Sequence, residues 1–317
     1  MKIFRTSWYL LKDLLKDILH ALPFVPYRKP SKRRKVWNRV RERRFLRRID
    51  AIYLAHRDSV DAIEVSIVMP AYNRAFCIHK PIAGVLNQHH TNWELLIVDD
   101  GSTDGLASLI ADKYNDGRIR YFPTEHLGVS HARNHGLERA RGKYIFYLDT
   151  DNAWYPSYLR TMIVFMDYGG LDACYAGARI INDGNETIGY FGERFVWAQC
   201  WELNHIDINS FGHRKDVVGE GFRFVESLNR LVDWEFILAL TANHRTAYAP
   251  FLGVEYYDGE KGSRITFTRY EGERVEELKA QIQNKHREML NLPNTSARQL
   301  RPSWREALRH GEMANKG

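Results

Sequence analysis

Two short apolar runs in this chain end in paired carboxylates. Glu94-Leu95-Leu96-Ile97-Val98 leads into Asp99-Asp100-Gly101-Ser102, and Tyr144-Ile145-Phe146-Tyr147-Leu148 leads into Asp149-Thr150-Asp151-Asn152. An apolar run that stops abruptly in acids and turn residues reads as a buried parallel strand. Such strands deliver side chains to the carboxyl edge of an α/β sheet, where these folds bind ligands. Asp-x-Asp at a strand end also suits a hard cation, because Mg²⁺ or Mn²⁺ takes oxygen ligands and keeps positions for substrate phosphate.

The surrounding elements supply such a sheet. A strand at Val65–Met69 runs into Pro70-Ala71-Tyr72-Asn73-Arg74, with a helix expected from Ala75 to Gln88. The strand Glu94–Val98, a helix near Asp104–Tyr114 and the strand Ile119–Phe122 follow. A helix from Gly128 to about Arg141 and the strand Lys143–Leu148 complete the series. Strands alternating with helices of this length imply βαβ units and a mostly parallel sheet flanked by helices. Neither G-x-G-x-x-G after the first strand nor G-x-x-x-x-G-K-[ST] occurs, which argues against a dehydrogenase or a P-loop enzyme.

With 317 residues, 44% of them hydrophobic, the chain can bury one large α/β core with appendages. Its three cysteines, Cys77, Cys174 and Cys200, form neither a metal pattern nor a disulfide framework, which suits a reducing compartment. The net charge of +7 is unevenly placed. Residues 1–60 hold seventeen Lys/Arg against five Asp/Glu, a balance of +12, and the remainder holds 29 against 34, a balance of −5. A mildly acidic body is not a nucleic-acid-binding body.

The basic segment has two parts. Trp8, Leu11, Leu14, Leu15, Ile18, Leu19 and Leu22 fall at helical spacing, interrupted by Lys12, Asp13, Lys16 and Asp17. Four charges rule out an ordinary transmembrane span, and no small-residue cleavage site marks a signal peptide. After Pro23, Pro26 and Pro30, twelve Lys/Arg lie between Arg28 and Arg48. An amphipathic helix followed by a basic stretch predicts a peripheral anchor on an anionic membrane surface. The alternative is a helix packed on the body or on a partner.

Four motifs in order carry a resemblance. They are Val65–Asn73, ending Pro-x-Tyr-Asn, then Val98-Asp99-Asp100-Gly101-Ser102-Thr103-Asp104, then Gly128-Val129-Ser130-His131-Ala132-Arg133-Asn134, then Gly142–Asp151. Together they resemble the nucleotide-sugar-dependent glycosyltransferases of family 2, which have the GT-A fold. The resemblance is dense over residues 64–160 and looser to about 240. It implies that Tyr72 packs on a nucleobase, with Pro70, Ala71 and Asn73 shaping that loop. Asp100, with Asp99 beside it, would bond base or ribose, and Arg133 and Asn134 would lie by the nucleotide or support the Asp149 loop. Asp151 would be the principal metal ligand, and Asp149, beside Thr150, a second ligand or an orienter of the sugar. A divalent cation there neutralises the charge that develops on a nucleoside diphosphate leaving group. Asp233, in Val232-Asp233-Trp234-Glu235, matches the aspartate that takes the acceptor proton. Many relatives have glutamate where this chain has Val232, and Glu235 is the reserve base. Gly221, Trp234 and Glu235 fall on the acceptor side, and Arg264 is a candidate phosphate contact in a lid at 256–266. Without the resemblance, Asp149 and Asp151 could simply cap a helix beginning near Pro156.

The expected organisation is an arm over 1–60, a GT-A domain over 61–270, and a C-terminal helix with polar tail over 271–317. That helix is marked by Val275, Leu278, Ile282 and Met289. The expected activity is metal-dependent, inverting transfer of one sugar from a nucleoside-diphosphate sugar, UDP or dTDP rather than GDP. The acceptor would be a hydroxyl of a glycan or lipid-linked glycan, reached from the cytoplasmic face of the membrane, with no nucleic acid involved. His205 and His213 are expected in loops and not as metal ligands. Two other readings are open. One is a haloacid-dehalogenase-like phosphohydrolase, for which Ala153 is the wrong residue after Asp149-Thr150-Asp151. The other is a non-catalytic scaffold, which would have no use for Asp100, Asp151 and Asp233.

Overall fold

The computed structural model describes residues 36–219, 221–258 and 272–289. The expected helix at Trp8–Leu22, the Arg264 contact and the tail from 294 lie outside these residues. Nine strands among the described residues form one sheet. In chain order they are β1 (Val65–Ala71), β2 (Trp93–Asp99), β3 (Ile119–Pro123), β4 (Tyr144–Tyr147), β5 (Ala153–Trp154), β6 (Ala173–Ile181), β7 (Thr187–Phe191), β8 (Phe211–Arg214) and β9 (Thr246–Tyr257).

The sheet order is β3-β2-β1-β4-β8-β6-β9-β5, with β7 on the side of β6. β3, β2, β1 and β4 are mutually parallel, as the βαβ rhythm predicts. Every residue of β1 and β2 is buried, which explains their unbroken apolar runs. The remainder is mixed: β8 is antiparallel to β4 and β6, β5 to β9 and β7 to β6, while β6 and β9 are parallel. The chain leaves β1 toward β3 and returns on the other side of β1 as β4. The crevice for a ligand therefore opens beyond the carboxyl ends of β1 and β4.

The helices lie close to their expected places: His79–Leu86, Leu106–Lys113 and Val129–Arg139. The 129–139 helix packs its Gly136 on β1, where a Cβ would come within 2.5 Å of the Val68 side chain. This close approach brings the helix's first turn over the crevice. The C-terminal helix spans Gly272–Met289 and buries Ile282. No helix among the described residues is long and apolar enough to cross a membrane.

The boundary expected at residue 60 runs through packed structure. The helix Arg39–Ala55 buries Phe45, Ile49 and Ile52 against the main core. Phe45 meets Phe165 edge-on at 5.2 Å and stacks with Phe251 at 6.1 Å. Glu42 accepts a 2.7 Å hydrogen bond from the Leu252 amide, at an irregular stretch of β9. Residues from Trp37 onward thus pack on the main folded body, the packing alternative for this part of the arm. Phe45→Ala should cost about 3–5 kcal/mol, the usual range for a buried phenylalanine. A urea unfolding midpoint unmoved by that change would show that the helix is not part of the folded unit.

Candidate active site

The carboxyl ends of β1, β2 and β4 open into a cleft of about 520 Å³. Pro70, Ala71, Tyr72, Asp100, Arg133, Asp149, Thr150, Asp151 and Asp233 all line it. These residues come from five separate stretches of sequence, and the sheet topology brings them together.

At one end Tyr72 is 43% exposed and stacks on His126, with ring centroids 4.0 Å apart and planes 17° from parallel. Asp100 builds the loop that carries His126. Its carboxylate accepts hydrogen bonds from the Leu127 amide (2.8 Å) and the Gly128 amide (3.0 Å), and meets His126 Nδ1 at 2.9 Å. Gly128 has φ +98°, and this left-handed backbone suits glycine in the tight turn that opens the 129–139 helix.

Two residues expected on the nucleotide instead tie loops together and do not line the cleft. Asp99 accepts from the Ser102 amide at 2.8 Å and from the Tyr121 hydroxyl. Asn73, at φ +51°, accepts from the Thr103 amide at 2.8 Å. Asn134 is likewise structural: its amide meets the Phe224 carbonyl at 2.9 Å and Glu226 at 2.8 Å. Each has a polar group that the backbone needed more than a ligand did.

The centre of the cleft is a balance of charge. Arg133, 5% exposed, donates to Asp149 Oδ1 at 2.8 Å. Burial works against its charge, but Asp149 and Asp233 outweigh burial and raise its pKa further. Asn209 completes the hold on Asp149: its Oδ1 accepts from the Asp149 amide at 2.6 Å and its Nδ2 donates to Oδ2 at 3.1 Å. The same Nδ2 reaches Asp207 at 2.9 Å. The helix after this loop begins at Tyr158, and its N-cap Ser157 makes no side-chain capping bond. Helix capping therefore does not account for Asp149 and Asp151.

Opposite, Asp233 lies in the first turn of the helix Val232–Thr241 and accepts from Asn204 at 3.3 Å. Leu231, the residue before this helix, has φ +56°, a strained conformation for a bulky side chain, and it lines the cleft. Glu235 does not face the cleft. It is buried and pairs with Lys285 at 2.6 Å and with His286 at 3.5 Å on the C-terminal helix, so it cannot serve as reserve base. Trp234 is buried and donates to the Cys200 carbonyl at 2.6 Å. Gly221, at φ +95°, sits in the preceding turn, outside the cleft lining. Asn204, Ile206, Asp207, Asn229 and Arg230 line the cleft on the Asp233 side instead. Asn209 and His126 carried only faint sequence signals: a polar Asp-x-Asn before a strand, and a histidine two residues before a helix-opening glycine. His213 is a core residue of β8, bonded to the Tyr147 hydroxyl at 2.8 Å. Burial lowers its pKa to about 4, so it stays neutral.

Asp207 is the perturbed acid of the site. Burial pushes its pKa up to about 7, Asn209 opposes with hydrogen bonds, and the charges of Asp149 and Asp233 push it further up. A carboxyl raised in the folded state stabilises most below its unfolded value near 3.9, and that contribution is lost as pH rises to about 7. Asp207→Asn keeps an acceptor for Asn209. Comparing the two proteins by chemical denaturation across this window should show the native chain losing up to about 1.4 kcal/mol per pH unit relative to the variant. Parallel stability curves would contradict the assignment.

Residues 66–217 match the family-wide sequence model "Glycosyl transferase family 2". An uncharacterized glycosyltransferase of Rickettsia felis is 38% identical over 125 residues, 39% of this chain and 21% of that protein. The Escherichia coli protein WfgD, a UDP-Glc:alpha-D-GlcNAc-diphosphoundecaprenol beta-1,3-glucosyltransferase, is 36% identical over 133 residues, 42% of this chain and 52% of that one. The match thus spans about half or less of these curated relatives. The crystal structure of S. aureus TarS in complex with UDP-GlcNAc superposes with a TM-score of 0.59 at 18% identity, covering 69% of this chain and 65% of that one. At that identity the likeness is one of fold, and it agrees with the GT-A architecture expected from the sequence.

Proposed function

Because the chain carries a glycosyl transferase family 2 domain, we propose that it transfers one sugar, with inversion, from a UDP-sugar to a hydroxyl of a lipid-linked glycan precursor. The observation that carries this reading is the convergence of Asp149, Asp151 and Asp233 on one cleft whose far end holds the half-exposed Tyr72 ring. The UDP donor and lipid-diphosphate acceptor are suggested by the activity named for the E. coli relative. A phosphohydrolase is disfavoured by Ala153, the wrong residue after Asp149-Thr150-Asp151 for that class.

The donor set fits a hard divalent cation, Mn²⁺ or Mg²⁺, since it is all oxygen. Among the described residues no three His, Cys, Asp or Glu side chains gather closely enough to hold a metal alone. Asp151, with Asp149, would hold it jointly with the substrate diphosphate. Bound there, the cation supplies charge neutralisation for the departing nucleoside diphosphate.

The chain's own residues do the rest. Tyr72 offers a ring face to the uracil, and Asp100 keeps the loop beneath it in place. Arg133 fixes Asp149 and limits repulsion within the acid cluster. Asp233, held by Asn204, accepts the proton of the acceptor hydroxyl as that oxygen attacks the anomeric carbon. The peripheral location at the inner membrane face belongs to the same proposal.

Asp151→Ala should remove the Mn²⁺ dependence of UDP-sugar binding and lower turnover by orders of magnitude while the fold persists. Calorimetric titration with Mn²⁺ and with EDTA decides it, and equal affinities in all four combinations would remove the metal from the account. Asp233→Asn should bind donor normally and transfer sugar slower by about 10²–10⁴-fold, the range for loss of a general base. Undiminished transfer by that variant would mean that Asp233 is not the base.

A further inference from the structure

One face of the molecule carries charge that the cleft does not use. The helix Arg39–Ala55 turns Phe45, Ile49 and Ile52 into the core, and its periodicity turns Arg39, Arg41, Arg43, Arg44 and Arg47 into solvent. Its two acids are engaged elsewhere: Glu42 with the Leu252 amide at 2.7 Å, and Asp50 with Arg160 at 3.7 Å. Val36 and Val40, at the start of the same helix, are 79% and 61% exposed.

The body extends this face. Trp37 packs so closely over Gly177 that a Cβ there would come within 2.2 Å of the indole. It also tilts against Tyr190 of β7, ring centroids 5.7 Å apart. Ile188, at the irregular step in the pairing of β7 with β6, is 41% exposed. Just beyond β7 come Arg194 and then Val196, 39% exposed. Burial and the charge of Arg41 both lower the pKa of Arg194, so the two guanidinium groups lie close enough to repel. Among the described residues neither is paired with a carboxylate.

We propose that this face, built from the 36–47 segment together with Ile188, Arg194 and Val196, is the contact surface for an anionic phospholipid bilayer. Cations of one sign attract anionic headgroups. The aliphatic side chains between them favour a bilayer over a nucleic acid, because only a bilayer offers them an apolar interior. The helix is not a tether: its buried aromatic contacts and the Trp37–Gly177 packing weld it to the sheet. β7 reaches both sites, since Phe191 at its end lines the cleft and packs on Tyr256, another cleft residue, at 5.2 Å. The bilayer contact therefore sets the height and tilt of the cleft over the headgroups. That consequence rests on the lipid-linked acceptor proposed above, while the lipid contact itself does not.

The test is flotation of the full chain with phosphatidylglycerol–phosphatidylcholine vesicles at low salt, beside phosphatidylcholine alone. Arg41→Glu/Arg194→Glu is compared with Lys113→Glu/Lys215→Glu, an equal charge change at exposed positions on other faces. Each basic residue near an anionic surface contributes about fivefold in binding, so the first pair should lose roughly twentyfold or more and the second pair far less. UDP affinity measured in solution on the same preparations, and the milder Arg41→Gln/Arg194→Gln pair, show whether a loss reflects misfolding. Equal losses from the two charge-reversed pairs, or no preference of the native chain for anionic vesicles, would overturn the proposal. Equally tight capture of duplex DNA, lost in the same variant, would also overturn it and reassign the face to nucleic acid. A native chain that floats but transfers no sugar would sink the enzymatic proposal and leave the surface intact.

Discussion

Five aspartates line one cleft, and among the arginines that share it Arg133 is the buried one, bonded directly to Asp149. Asp149 and Asp233 hold Arg133 charged in spite of its burial, and Arg133 in turn fixes Asp149 at the end of β4. Arg133 is buried and Asp149 half-buried, so loss of the Asp149 carboxylate would leave a buried guanidinium uncompensated. The helix carrying Arg133 is therefore tied to the sheet at the point where chemistry is expected. Its opening glycine turn is organised by Asp100, which links the Tyr72 end of the cleft to the Asp149 end.

Opposing demands within the site are met by fixed dipoles. Asn209 serves two carboxylates with one side-chain amide and receives the Asp149 backbone amide on its oxygen. Asp207 is left with burial and two neighbouring negative charges, which is why its proton is held so far above the usual carboxylate range. On the other wall the strained Leu231 backbone sets the start of the helix bearing Asp233. Two residues further along, Glu235 is pinned by the C-terminal helix, so the helix bearing Asp233 is braced at both its entry and its outer face.

The parallel half of the sheet was legible because β1, β2 and β4 are buried on both sides and must be continuous apolar runs. The placement of Asp100, Asp149 and Asp151 in the cleft was legible for a related reason, since a parallel strand delivers the residues that follow it to the carboxyl edge of the sheet. Less legible were the roles of Asp99, Asn73 and Asn134, where hydrogen-bonding capacity looks the same in sequence whether it serves a ligand or a loop. Glu235 misled because it is close to Asp233 in sequence, but two residues along a helix lie on different faces, and Glu235 turns to Lys285, fifty residues away. The segment 39–55 looked like part of a free basic arm because six arginines interrupt its apolar residues. Three buried side chains were enough to dock it.

The central claim is a single displacement at the anomeric carbon, with proton removal by an aspartate across the cleft from the strand-end pair. The anomeric configuration of the product tests it most directly. Proton NMR of the sugar transferred from an α-linked UDP-sugar should show a β linkage in the first product formed. An α linkage would require a double displacement or a different placement of the acceptor, and would contradict the account.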